Sequence, residues 1–491
     1  MSKKIIVIGG GFAGLSAATE LATKGHDVTL VEKNETLGGR ARKFESNGFV
    51  FDMGPSWYWM PEVFDQYFER YGFKTSDFYH LTRLDPSYKV VLSDQQEINV
   101  PAGRTAVSKL FEGLEKGASK NLDKFLDNAE YKYRVGMGEF VHKPSLSIFE
   151  YFDIRILLSA IKLNLFGNIT TEIYKLFKHP VIRKILEFPV LFLGAKPENT
   201  PALYSLMNHA DIDLGTWYPQ GGMYKIIEGM VSVAKSKGVK FITNFPVDQL
   251  AISNKKITSV LSGGKKHETD AVILTCDYRH FDQEVLAEEY RQYTHEYWEK
   301  RVMAPSSLLY YLGVKGKVSK LLHHNLFFDA DFHAHASSIY DNPEWPKDPL
   351  FYVSCPSKTD KSVAPDEDEN IFLLMPLAPG LNDEPQMRAR YFDIMMDRLE
   401  HYTGEEIRSR IVYNKSFAMA DFVSDYNAHK GNAYGLANTL MQTAFLKPRM
   451  KSSKIRNLYF AGQLTTPGPG VPPSIISGRV AATLVDAHLK N

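Results

Sequence analysis

The chain begins with a four-residue apolar run, Ile5-Ile6-Val7-Ile8, interrupted at once by Gly9-Gly10-Gly11 and followed by a stretch in which apolar positions recur every three to four residues. A short run closed by glycines has the pattern of a buried strand, and the later period is that of a helix, so this opening predicts strand, turn and a helix over about 13–24. Asp27-Val28-Thr29-Leu30-Val31 predicts a second strand, ending at Glu32. Lys240-Phe241-Ile242-Thr243-Asn244 predicts a strand and turn leading to Val247, and Asp270-Ala271-Val272-Ile273-Leu274-Thr275-Cys276 a fully buried strand. Apolar alternation around Tyr310 and Tyr311 predicts a strand of a mixed sheet within 301–316. Near the end, Asn457-Leu458-Tyr459-Phe460 predicts another strand, and a Pro/Gly-rich loop then leads into a helix over 474–489.

The first of these patterns carries chemistry. Gly9 permits the tight turn, Gly11 lets backbone approach a pyrophosphate, and Gly14 lets the helix pack closely on the strand. Phe12 and Ala13 then open a helix whose N-terminus faces phosphate. Glu32 lies roughly 20 residues further on, where a carboxylate accepts hydrogen bonds from ribose hydroxyls, with Lys33 beside it. NAD and FAD sites share this much. The next segment, Leu37-Gly38-Gly39-Arg40, brings two more glycines and a guanidinium to the same phosphates, a second pass for which NAD dehydrogenases have no use.

That Gly-Gly-Arg element resembles the FAD-binding signature of the superfamily of amine oxidases, phytoene desaturases and GDP-dissociation inhibitors. The resemblance continues over most of the chain. Ala461-Gly462 through Gly470-Val471-Pro472, followed by Ser477-Gly478, is similar to the closing signature of bacterial phytoene desaturases, with Thr466 and Pro473 where histidine and glycine are frequent. Trp217-Tyr218-Pro219-Gln220-Gly221-Gly222-Met223, His323-His324-Asn325, Phe351 to Asp360 and Gly431 to Leu436 resemble further segments of that family. The resemblance implies bound FAD. It places Gly54, Pro55 and Ser56 beside the flavin ring and Val247 by the adenine, and it makes Trp57, Tyr58 and Trp59 candidates for the wall of an apolar substrate channel.

Composition narrows the partners. In 491 residues, 44% are hydrophobic and 23% charged, with a formal net charge of +1, so no basic excess invites nucleic acid. Cys276 and Cys355 are the only cysteines, which supports neither a disulfide framework nor a Cys-based zinc site. Adjacent His323 and His324 point in different directions and are not expected to share a metal. The run after Met1-Ser2-Lys3-Lys4 is too short for a signal-peptide core, and no stretch reaches the roughly 20 apolar residues of a membrane span. Between 151 and 195, apolar residues recur among Arg155, Lys162, Lys175, Lys178, Arg183 and Lys184, as in helices that lie on a membrane. A helical cover over the substrate cavity explains that stretch equally well.

The expected architecture is α/β. A discontinuous Rossmann-like FAD domain takes 1–75, 225–300 and 415–491, and a mixed-sheet substrate domain takes 76–224 and 301–414, with a helical, membrane-facing subdomain at 151–195. The charged stretch 360–369 reads as a solvated loop. The expected activity is FAD-dependent desaturation of an apolar carotenoid on the inner, cytoplasmic face of a membrane, with oxygen or a quinone reoxidising the flavin. A hydroxycarotenoid 3,4-desaturase, a carotenoid isomerase or saturase, an amine oxidase and a non-catalytic prenyl-protein chaperone are the alternatives on the same fold. No side-chain base stands out, and Asp211 and Asp213 read as structural.

Overall fold

Five short strands form a wholly parallel sheet in the order Leu458–Phe460, Ala271–Leu274, Lys4–Ile8, Asp27–Val31, Lys240–Ile242. The computed structural model describes residues 2–93, 96–147, 150, 167–191 and 194–490. Ile5 to Ile8 and Ala271 to Leu274 are buried without alternation, because both faces of this sheet are covered. Ile5 and Val7 face a helical core, whereas Ile6 and Ile8 face an antiparallel meander of Gln249–Ser253, Lys256–Ser262 and Lys265–Glu268. All five strands come from the three segments expected to build the nucleotide domain.

On the helical side, Phe12–Thr23 crosses the C-terminal helix, Val471–Lys490. Glycine decides how near they come: a Cβ added at Gly478 would stand 2.1 Å from the Ala13 carbonyl oxygen. Ser16 Oγ locks the crossing by donating to the Ile475 carbonyl at 2.7 Å. The first and last helices are thereby joined on one face of the sheet.

A seven-stranded sheet lies beside it, in the order Ile411–Phe417, Ser306–Val314, Glu369–Leu377, Phe351–Ser354, His324–Phe327, Tyr88–Ser93, Gln96–Val100. Its one parallel pair is His324–Phe327 with Tyr88–Ser93. Ser306–Val314 is the strand expected within 301–316; Pro305, lacking an N–H, keeps it from starting earlier. Alternate residues of this strand serve two cores. Leu308, Tyr310 and Leu312 pack with Met395 and Leu399 of the helix Pro385–Thr403, while Leu309 and Tyr311 face the first core. The boundary expected at 415 falls inside Ile411–Phe417, which belongs to this sheet.

Two surface stretches are more mixed than expected. Between 360 and 369, Lys361, Ser362, Asp366 and Glu367 are exposed as expected of a solvated loop, but its ends are buried: Asp360 accepts from the Gly221 N–H and Glu369 pairs with Lys358. Within 151–195, the helices Ile169–Leu176 and Pro180–Leu191 turn Ile173, Ile182, Leu186 and Val190 inward. Lys184 donates to the Phe328 carbonyl, and Arg183 donates to the Phe177 carbonyl while stacking on Tyr174, which leaves Lys175 and Lys178 as the exposed cations of the four described ones. Arg155 and Lys162 lie outside the described residues. Among the described residues no helix is long and apolar enough to cross a membrane.

Candidate active site

A cavity of about 1330 Å³ opens at the C-terminal ends of the parallel strands, where ligands bind in open α/β sheets. It brings together Gly9, Gly11, Phe12, Ala13, Glu32, Lys33, Gly39, Arg40 and Val247 from the nucleotide motifs. Gly14 lies beneath rather than on the wall, since a Cβ there would meet the Gly9 carbonyl oxygen at 1.9 Å. Gly11 and Gly39 face each other across the cradle, a Gly39 Cβ falling 3.3 Å from Gly11 Cα. Glu32 is held by the Gly10 N–H at 2.7 Å and the Asn34 N–H at 3.0 Å, one on each carboxylate oxygen.

Arg40 supplies the sharpest test of what belongs here. Its half-buried side chain lies over the Tyr426 ring, Nη2 reaches the Asn432 carbonyl at 3.4 Å, and the buried Nε has no partner among the described residues. Burial lowers its pKa, against a smaller opposing pull from Asp277. Gln463 Nε2 and Thr466 Oγ1 are likewise buried without partners, and both residues line the same cavity. Unsatisfied buried donors are costly, so their convergence on one space calls for an acceptor-rich ligand. Gly54, Pro55 and Ser56 line the middle of this space, and Gly54 rests on Arg40, a Cβ there falling 2.4 Å from the Arg40 carbonyl oxygen. Gly462, Gly470, Val471 and Pro472 close it from the other terminus; the Gly462 N–H is fixed by Ser477 Oγ at 3.0 Å.

Beyond the loop at 54–56 the wall changes character. Trp57 and Trp59 line the cavity with Phe64, Phe140, Leu203 and Met207. Tyr58 does not. In extended chain, neighbours point to opposite sides, and Tyr58 turns into the core, bonding the Tyr79 hydroxyl at 3.0 Å and stacking on Phe64 at 4.3 Å. Trp59 Nε1 donates to Thr216 Oγ1 at 2.8 Å, and that hydroxyl donates to Asp211 at 3.1 Å. Tyr88 donates to the other oxygen of Asp211 at 2.9 Å, and its ring packs on Trp57. Asp211 therefore braces the aromatic wall from behind, and burial pushes its pKa up to about 7. Asp213 is tied to Arg104 and His209. Neither acid lines the cavity.

The remaining motifs are supports. Asp52 accepts from the N–H groups of Met223 and Tyr224 at 2.7 and 2.9 Å, which docks the Gly-Gly-Met element against the first segment. Gly222 allows that approach, since a Cβ there would fall 2.8 Å from an Asp52 oxygen. His323 Nδ1 lies 2.8 Å from Thr359 Oγ1, whereas His324 Nδ1 lies 2.6 Å from the Tyr352 hydroxyl and its ring stacks on Trp57 at 4.0 Å.

A family model described as flavin containing amine oxidoreductase matches residues 12–486. The chain belongs to that family. The flavoenzyme is 41% identical over 97% of each chain to a carotenoid 3,4-desaturase of Haloarcula japonica. It is 29% identical to a zeta-carotene-forming phytoene desaturase of Myxococcus xanthus, over 97% of this chain and 93% of that one. Its fold matches that of a redesigned putrescine oxidase with a TM-score of 0.64 at 12% identity, over 99% of both chains. The residues fit the cofactor of that family: a glycine cradle at the strand ends, an acid at the second strand and an orphaned Arg40 donor suit the phosphates and ribose of FAD.

Other wall residues of the flavoenzyme are not singled out individually in the sequence. Leu203, Met207 and Phe140 come from the helical region and carry no motif, whereas Tyr352, in the strand Phe351–Ser354, and Tyr434 fall in segments that resemble the family. Only the fold makes them neighbours.

Proposed function

We propose that this flavoenzyme desaturates a carotenoid, introducing carbon–carbon double bonds into an acyclic or partly processed C40 chain. One observation carries the reading. The acidic and basic residues on the described cavity wall, Glu32, Lys33, Arg40, Asp277, His280 and Asp425, stand with the nucleotide motifs, while the far end is indole, phenyl and aliphatic carbon. A charged amine finds no counterion there, so the wall favours a hydrocarbon over the substrates of an amine oxidase. The two desaturase relatives above are named for carotenoid and phytoene desaturation, and the higher identity to the 3,4-desaturase makes that bond the first to test.

When bound, FAD supplies the two-electron acceptor that a CH2–CH2 unit beside a polyene requires. The chain's own part is to orient the polyene along Trp57 and Trp59, to hold that wall rigid through Asp211, and to exclude water. Removal of hydride would leave a cation spread along the conjugated chain, acidic enough for the neighbouring carbon to give its proton to solvent water at the open mouth of the cavity. A strong base is therefore unnecessary, and among the described residues no carboxylate lines that end.

An insoluble substrate must arrive from a bilayer. Met441, Phe445 and Leu446 are 70%, 38% and 37% exposed, and Phe445 also lines the cavity. This apolar rim docks the enzyme on the inner face of a membrane, where oxygen or a quinone reoxidises the flavin. Expression in cells that accumulate phytoene, and separately in cells making hydroxylated or monocyclic carotenoids, identifies the substrate by pigment spectrum. Longer conjugation in one strain is expected, and unchanged pigment in every strain contradicts the reading.

A further inference from the structure

Three lysines are buried in the described structure, Lys89, Lys132 and Lys447. Lys132 pairs with Glu172 at 2.7 Å and Lys89 with Glu97 at 3.0 Å. Lys447 has no carboxylate among the described residues; its ammonium donates to Asn438 Oδ1 at 3.1 Å. Nothing else charged moderates its burial, which lowers its pKa to about 7. A buried ammonium without a counter-charge is disfavoured against its neutral form, so keeping the charge calls for a nearby anion that the described residues do not supply.

The location says which anion. Asn438 lines the cavity, and so do Thr466, Pro467, Pro469 and Gly470 of the loop that closes its flavin end. Gly468, in the middle of that loop, has φ +139°, and a Cβ there would stand 3.2 Å from both Lys447 Nζ and Asn438 Oδ1. Only glycine lets the loop backbone settle on the ammonium. The C-terminal helix begins one residue after Gly470, so a helix N-terminus and a lysine flank the same turn.

Resting on the FAD reading above, we propose that Lys447 is a positioning residue for negative charge on the flavin, stabilising through the 466–470 loop the anion that forms when the ring is reduced or takes up a nucleophile. In a water-poor site one such charge acts strongly over several ångströms. It therefore favours flavin reduction without touching the substrate.

Sulfite, which adds to oxidised flavin and leaves negative charge on the ring, is the probe, together with the midpoint potential of the purified holoenzyme. In Lys447→Met and Lys447→Gln, sulfite should bind at least about tenfold more weakly and the potential should fall by about 30 mV, the equivalent of tenfold for a two-electron couple. Lys447→Arg should stay within about threefold of wild type, because the charge is kept. The Met variant should also melt no lower than wild type, since it removes an unpaired buried charge. Lys447→Gln keeps a donor for Asn438 and carries the test alone should the Met variant misfold. Flavin-replete neutral variants with wild-type sulfite affinity and potential would overturn the role of Lys447. Wild-type protein without flavin would instead sink the FAD reading, and absorbance distinguishes the two outcomes.

Discussion

At Gly478 a single hydrogen stands where any side chain would meet the Ala13 carbonyl oxygen at 2.1 Å, in the crossing that ties the two ends of the chain together. Gly478→Ala should destabilise the protein by about 1–3 kcal/mol, an overpacking cost, and should lower flavin content; calorimetry and absorbance check both. An unchanged melting temperature would mean that the helices separate freely. Arg40 is the complementary case, a donor waiting for its acceptor. Arg40→Met should weaken FAD retention by about ten- to hundredfold, on the scale of a charge-assisted hydrogen bond, measured by reconstitution of the stripped protein. Arg40 is legible in the sequence because phosphate chemistry dictates its type and spacing, whereas Gly478 enters only with the family resemblance. Tyr58 was misassigned for an equally local reason: it sits between two channel tryptophans, and extended chain turns every second side chain away.

The aromatic wall is an element held by one carboxyl. Asp211 joins Trp59, Thr216 and Tyr88, which are far apart in sequence, so no local pattern could announce the network. Its pKa is raised from about 3.9 when unfolded to about 7 when folded. The native state thus keeps a proton that the unfolded chain releases, and this group's contribution to stability falls as pH rises through that interval. Asp52 and Glu187 are raised in the same direction, so the variant must be compared with wild type. Asp211→Asn should lose less stability than wild type between pH 4 and 7, read from denaturant unfolding; parallel curves would contradict the assignment. The helical region is open to two readings in the sequence, a membrane face and a cover over the cavity. Its lysines suggested a charged membrane face, yet Lys184 is drawn inward by a backbone carbonyl that only the tertiary structure provides. The exposed apolar loop bearing Met441, Phe445 and Leu446 is the membrane contact proposed above. Changing all three to serine should reduce recovery with liposomes by several-fold, whereas making Lys175 and Lys178 neutral should matter less; the opposite ranking in flotation assays would restore the charged face.

Across the whole molecule, a short parallel sheet takes strands from both ends and the middle of the chain, and a larger mixed sheet stands over the cavity they open. Much of the parallel sheet is readable because Ile5 to Ile8, Ala271 to Leu274 and Leu458 to Phe460 are uninterrupted apolar runs, and Asp27 to Val31 ends at an acid with a chemical task. Most of the mixed sheet is not, since its strands alternate between two cores and their neighbours are set by long-range pairing. The combined design puts charge at one end of a cavity and hydrocarbon at the other, and that polarity underlies the proposed chemistry. It is tested most directly by anaerobic titration of the flavin-loaded enzyme with an acyclic carotenoid in liposomes, following both chromophores. The visible flavin band should bleach in step with a red shift of the polyene, one flavin for each double bond formed. Product appearing while the flavin stays oxidised would contradict the account.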